Sequence, residues 1–346
     1  MKKIFIIAMT AAAMISCGSA SKYTITGTSE EFADGKWAFL TIEEGRELKN
    51  IDSMAITGNS FKFVGEVENP YSAYVIIKDA EADRPELYAE IYVEPGTIEV
   101  KKLDPEYQAY SAVGTPLNDL TSEMNAKMAE LMKDENASNE DIMKLYADFI
   151  MANAANLAGQ NMLKQNYYML APQQVLDAVA AIPAEKQEEF ADMKNAAEQA
   201  LKVEPGNAYI DIVEPTPDGK ELSLKSVVEN KKNKYVLLDF WASWCGPCMA
   251  EVPYLVETYK NYNKKGFEIF GVSFDRNRDA WLKAIKDKEL NWLHVSNVKY
   301  WDTPSRHAYA VNSIPANFLI DCSTGKIIAK GLRGEELQKK IAELLK

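Results

Sequence analysis

One stretch constrains this chain more than any other. Tyr235-Val236-Leu237-Leu238-Asp239-Phe240 reads as a strand buried on both faces, and it runs directly into Trp241-Ala242-Ser243-Trp244-Cys245-Gly246-Pro247-Cys248. Beyond it Met249, Val252, Leu255 and Val256 recur at helical spacing, so the two cysteines open a helix. Residues i and i+3 share one face of a first turn, close enough for a disulfide. The same turn aims unpaired N–H groups and the positive end of the helix dipole at Cys245, which favours thiolate over thiol. Pro247 costs little there, because a first-turn N–H has no partner to lose. Half of a zinc site is a poorer reading, since no second cysteine pair exists and His294 and His307 lack ligand spacing. A purely structural bridge closing four residues would staple little and leaves the flanking tryptophans without a role. The local pattern points to a redox dithiol on a strand-to-helix junction.

The 346 residues are too many for one ordinary domain. Hydrophobic residues at 47% and charged residues at 26% are globular values, and a formal charge of −12 argues against nucleic acid or an acidic membrane surface as partner. Lys2-Lys3, an apolar run from Ile4 to Ala13 and then Met14-Ile15-Ser16-Cys17 predict a signal peptide over residues 1–16. Met-Ile-Ser-Cys resembles a bacterial lipobox, which implies cleavage before Cys17 and a lipid on its thiol. Residues 17–21 then form a lipidated tether, and lipid is the only membrane anchor expected, because no later segment reaches 18 apolar residues. With Cys17 lipidated and Cys245 and Cys248 paired, Cys322 stands alone in the turn-like run Asp321-Cys322-Ser323-Thr324-Gly325.

Residues 22–110 read as β-rich, with runs at Tyr23–Thr26, Trp37–Ile42, Phe61–Phe63, Tyr71–Ile77, Leu87–Val93 and Thr97–Lys101. Their spacing predicts a small antiparallel sandwich or barrel. Residues 115–203 turn helical: Pro116 opens one helix, Ser138-Asn139-Glu140-Asp141 caps a second, and more follow at 159–170, 172–181 and after Pro183. The methionines here are read as core filling rather than an adaptable binding face. Glu204-Pro205-Gly206-Asn207 is the clearest boundary, and residues 206–346 follow a β-α-β-α order that predicts a mixed sheet with helices on both faces.

Trp241 to Cys248 resembles the active-site segment of thioredoxins, and residues 206–346 resemble the TlpA/ResA-like branch of exported thioredoxin-fold proteins. The expected architecture is therefore an N-terminal antiparallel β domain, a central α-helical segment and a C-terminal α/β thioredoxin fold. The β region is similar to a domain of unknown function that often precedes thioredoxin modules in bacterial lipoproteins. Asp275 to Leu293 looks like the extra helical insert of this branch.

Disulfide exchange needs one exposed, acidic sulfur and a second that waits. Cys245 at the helix tip is the expected attacker and Cys248, one turn inward, the resolving thiol. A buried thiol needs a base, and Asp239 can supply it from inside an apolar strand, at the position of the buried acid in thioredoxin. Glu251, three residues after Cys248, lies on the dithiol's side of the helix, where the resemblance implies an acid that tunes the thiols. Pro253 should kink that helix. The resemblance further implies a cis bond at Ile314-Pro315 beside the dithiol, leaving a backbone edge for substrate, with Ala316 where relatives usually carry Thr. Trp244, Gly246, Pro247 and Ile314 are the expected substrate contacts, and Trp241 is expected to help shelter the sulfurs.

The resemblance implies a lipid-anchored thiol-disulfide oxidoreductase of the cell envelope, facing the periplasm. It needs no cofactor beyond the Cys245–Cys248 disulfide and no metal. Gly-Pro between the cysteines matches thioredoxin and favours reduction of protein disulfides, recharged by a membrane thiol donor. A contrasting reading makes residues 22–203 a partner- or ligand-binding platform with the redox module secondary. A peroxidase is disfavoured, because that chemistry uses an isolated peroxidatic cysteine.

Overall fold

The computed structural model describes residues 21–45, 47–82, 84–104 and 109–346. The leader and Cys17 lie outside the described residues. The chain divides into two compact units, one reaching to Leu170 and including Ala181–Pro183, the other holding Ala171–Ala180 and Ala184–Lys346. The expected helical middle is thus shared between the two.

The first unit is a β-sandwich with helices. Its strands are β1 (Ser21–Thr28), β2 (Trp37–Glu44), β3 (Glu47–Ala55), β4 (Ser60–Val67), β5 (Tyr71–Lys78), β6 (Leu87–Val93), β7 (Gly96–Asp104) and β8 (Ala109–Val113). They form two four-stranded sheets, ordered β4-β1-β7-β8 and β3-β2-β5-β6. Pairing is antiparallel throughout except between β1 and β7, which run parallel. Inward residues of both sheets, among them Ile25, Phe63, Ile98, Leu40, Val75 and Ile91, share one core. Two strands were not legible as such: every residue of β3 but Met54 is exposed, so no apolar alternation marks it, and β8 is short.

Helices α1 (Pro116–Lys133), α2 (Asn139–Asn153) and α3 (Leu157–Asn166) follow in this unit. Ser138 and Asp141 form the expected capping box of α2. Thr115 at the start of α1 makes no side-chain cap; Glu94 substitutes, accepting the Leu117 N–H at 2.7 Å. Asn118 bonds both backbone groups of Tyr92, at 2.9 Å and 2.7 Å, so its amide extends β6 as a further strand residue would. Met124 is buried against Tyr92, Phe149 and Ala158, while Met132, Met143 and Met151 are exposed, so core filling describes only part of the methionine set.

The second unit opens with α4 (Pro172–Ala181), all but its last residue, and α5 (Ala191–Leu201), then the hairpin β9 (Val213–Pro215) and β10 (Glu221–Ser223), closed around Gly219 at φ 83°. The apolar run Tyr209–Ile212 stays outside the strand, which starts at Val213. Ser223 ends β10 and caps α6 (Leu224–Val228), its side chain accepting the Ser226 N–H. The remaining elements are β11 (Tyr235–Trp241), α7 (Gly246–Tyr262), β12 (Phe267–Ser273), α8 (Arg278–Asp287), β13 (Leu293–Val295), α9 (Pro304–Ala308), β14 (Ala316–Asp321), β15 (Lys326–Lys330) and α10 (Gly334–Leu344). The sheet order is β13-β12-β11-β14-β15, with β11 central, parallel to β12 and antiparallel to β14. Period-two alternation divides β11 between two cores. Val236, Leu238 and Phe240 join one; Leu237 joins the other, against Leu255 of α7 and Leu337 and Ile341 of α10. Asp239 therefore points to the face that α7 and α10 cover. Pro253 sits within α7, which runs on to Tyr262.

Candidate active site

Cys245 is the N-cap of α7 and Cys248 sits in its first turn, with Cα atoms 5.2 Å apart and the sulfurs joined in a disulfide. The Cys248 N–H points at the Cys245 sulfur, 3.1 Å away, the place an N-cap oxygen usually fills. A thiolate accepts that N–H far better than a thiol does, so the geometry favours ionisation of Cys245 once the bridge is open.

The expectation that Cys245 stands exposed is not met in the disulfide form. Cys245 is 4% exposed and Cys248 3%, so accessibility does not separate them. Their surroundings do. Cys245 lies between exposed Trp244 and Gly246, and its sulfur is 3.7 Å from the Ile314 carbonyl oxygen. Cys248 instead lines a narrow crevice with Asp239, Trp241, Glu251, Val252 and Pro315. The crevice has a volume of about 10 Å³, at the lower limit for one water.

Asp239 is 5% exposed. Burial pushes its carboxyl up to about 7, with the Arg333 guanidinium pulling the other way and Glu251 adding repulsion. Such a group changes protonation in the range where proton transfer to or from a thiol is useful. Glu251 is half-buried and tethered: its Oε2 accepts the Gly334 N–H of α10 at 2.8 Å. The Ile314–Pro315 bond is cis, as the resemblance implied. Trp241 is buried at 4% exposure, while Trp244 is 48% exposed, so of the two only Trp244 offers surface. Gly246 and Pro247 are exposed and Ile314 half-buried.

Sequence reasoning missed two residues that hold this arrangement. Arg333 donates to the Pro315 carbonyl and to the Leu332 carbonyl, fixing the cis-proline turn from behind while placing its charge near Asp239. No local motif marks it. Arg333 is the residue just before α10, and it reaches the site only because α10 packs on α7.

Asp275 is the second missed residue. It is buried, and it accepts from the Ser243 N–H at 3.0 Å, from the Ser243 hydroxyl and from the Ser273 hydroxyl at 2.7 Å. One carboxylate thus holds the loop that leads into the dithiol. A buried carboxylate needs such donors, and its place just past the end of β12 was the available signal. Cys322 is half-buried in the turn between β14 and β15, where burial pushes its thiol up to about 11, so it stays protonated and unreactive at neutral pH. Among the described residues no group of three or more His, Cys, Asp or Glu could hold a metal ion.

His294 lies beneath the site on β13, 4% exposed, with its Nε2 3.1 Å from the Leu290 carbonyl oxygen. A Cβ on Gly271 would come within 2.9 Å of His294 Nδ1 and 3.2 Å of Trp241 Nε1, so glycine is what lets both rings approach β12. Burial pulls the His294 pKa down to about 4, opposed by the Leu290 contact. The unfolded chain therefore binds the extra proton first, and stability is lost as pH falls from about 6.5 to about 4, by about 3 kcal/mol in all. Chemical denaturation across that range should show His294→Gln with a flatter acid limb than the native protein. Equal slopes would mean that another group sets acid stability.

A central β11 feeding a helix that is capped by one sulfur of a Cys-Gly-Pro-Cys bridge, beside a cis-proline, defines a thioredoxin-like dithiol protein. Residues 233–327 match the thioredoxin-like family model, and residues 23–121 match a domain of unknown function, DUF4369. The chain is 34% identical over 145 residues to the thiol-disulfide oxidoreductase ResA of Bacillus thuringiensis subsp. konkukian (strain 97-27), covering 42% of this chain and 79% of that protein. It is 32% identical over 111 residues to ResA of Bacillus subtilis (strain 168), covering 32% of this chain and 58% of that one. Among solved structures, a thiol-disulfide oxidoreductase from Bacteroides fragilis NCTC 9343 is 36% identical, with a TM-score of 0.37, covering 40% of this chain and all of the other. The chain belongs to the ResA family of thiol-disulfide oxidoreductases and is an oxidoreductase.

Proposed function

We propose that this protein reduces disulfides of protein substrates outside the cytoplasm, held to a membrane of the cell envelope by a lipid on Cys17. The observation that carries the reductive chemistry is the Cys248 N–H aimed at the Cys245 sulfur from the first turn of α7. In the dithiol form, the Cys245 thiolate attacks one sulfur of a substrate disulfide and expels the other as a thiolate, leaving a mixed disulfide. Asp239 takes the proton of Cys248, directly or through one water in the crevice. The Cys248 thiolate then attacks the Cys245 sulfur and releases the second substrate thiolate, so two electrons pass to the substrate and the Cys245–Cys248 bridge re-forms. A membrane thiol donor reduces that bridge again. Glu251 and Arg333 set the charge around Asp239, and the Ile314–Pro315 edge with Trp244, Gly246 and Pro247 receives the substrate polypeptide.

The test is insulin reduction with dithiothreitol as donor. The native protein is expected to accelerate it well above the uncatalysed rate, and an unchanged rate would overturn the reading. The address has its own test. Cys17→Ala in cells should move the protein from the membrane fraction to the soluble one, and retention in the membrane would remove the lipid from the proposal.

A further inference from the structure

Beside the dithiol, Trp244 belongs to a row of packed side chains whose other members the exchange chemistry does not use. The Trp244 indole, tied by its N–H to the Phe274 carbonyl at 3.3 Å, packs on the Tyr300 ring with centroids 5.2 Å apart. The Arg276 guanidinium lies over that same ring, 3.8 Å from its centroid. Arg306 stands over Trp301, which packs on Phe274 at 4.9 Å. Trp244 and Arg276 are exposed and Tyr300 half-buried.

The row is held from below. Asp275 grips Ser243, Ser296 donates to the Ser273 carbonyl at 2.8 Å, and buried Glu214 accepts from Thr303 at 2.6 Å and Ser305 at 2.5 Å. Between those anchors Val298 and Tyr300 adopt left-handed φ values of 58° and 63°, a conformation that side chains of this kind avoid unless the surroundings enforce it. Among the described residues no carboxylate forms an ion pair with Arg276 or Arg306. Arg306 already donates its Nε–H to the Val311 carbonyl at 3.1 Å, whereas lying over a ring leaves the edge N–H donors of Arg276 in the fork that fits a carboxylate.

We propose that Trp244, Tyr300 and Arg276 form the surface that selects the substrate, and that it prefers a polypeptide carrying an acidic residue next to the disulfide. The proposal rests on the dithiol reading above and adds the class of partner to it. Charge gives it a sharp sign: a chain of formal charge −12 should, through its overall field, favour basic peptides. A preference for acidic ones requires a local cause.

The experiment uses two peptides of equal length, each closed by one disulfide and differing only in Glu or Lys beside the first cysteine. Reduced protein is mixed with each, and its oxidation is followed by tryptophan fluorescence. The acidic peptide is expected to react about 10-fold faster at low salt, with the ratio falling as salt rises. Arg276→Gln should bring the ratio close to one, Arg276→Glu should invert it, and Arg276→Lys should keep most of it. Every rate is divided by that of the same protein with hydroxyethyl disulfide, small and uncharged, which corrects for a variant that folds incompletely. A native ratio at or below one, or a ratio that survives Arg276→Gln, overturns the proposal. Failure of the native protein to react with hydroxyethyl disulfide or either peptide would instead sink the dithiol reading, and the proposal with it.

Discussion

Cys245→Ser is expected to abolish disulfide reduction, while Cys248→Ser is expected to accumulate a covalent adduct with substrate. The two sulfurs are almost equally buried, so the asymmetry arises from position: only Cys245 caps α7 and faces the cis-proline edge, and only Cys248 lines the crevice with Asp239. Serine at 245 removes the nucleophile, and insulin reduction should fall by about 1,000-fold or more, to the uncatalysed rate. Serine at 248 leaves attack intact and removes the group that breaks the mixed disulfide. Non-reducing electrophoresis with mass spectrometry should then find Cys245 joined to a substrate cysteine, an adduct that dithiothreitol dissolves. Adducts on the Cys245→Ser protein through Cys248, and none on Cys248→Ser, would reverse the assigned order of attack.

The dithiol, its helix and the strand before it were legible because they are local. Apolar residues, two cysteines and a proline within one run suffice to specify strand, turn and helix cap. Asp239 was legible for a related reason: a carboxylate inside an apolar strand is costly enough to stand out. Arg333 and Asp275 were not, since each acts on a loop far from it in sequence, and a lone arginine or a strand-end aspartate is ordinary until the fold closes. Position at the helix tip does not by itself give Cys245 access, because the Ile314 carbonyl before the cis-proline lies against its sulfur. Elements of three to five residues, such as β13 and α6, fall below the length at which periodicity can speak.

Asp239→Asn should make the protein more stable and a slower enzyme. In the folded state the Asp239 carboxyl titrates near 7, far above its ordinary value of 3.8, because burial disfavours the charge. An acid whose folded pKa is raised contributes fully below pH 3.8, and that contribution is lost as pH climbs through about 7. Above that pH the native protein therefore carries an ionised carboxylate at a cost of about 4 kcal/mol, which asparagine does not incur. Five of the six tryptophans lie beyond residue 240, so fluorescence-detected denaturation reports this unit. The stability gain of Asp239→Asn should be absent near pH 4, grow to about pH 7 and level off at about 3–4 kcal/mol. Over the same range, release of substrate from the mixed disulfide should slow by about 100-fold at neutral pH and recover toward alkaline pH, where Cys248 ionises without help. Arg333→Gln, which removes the charge that holds the Asp239 pKa down, should shift the native pH profile upward. A variant as fast as the native protein at pH 7 would leave Asp239 a buried acid without a part in the exchange.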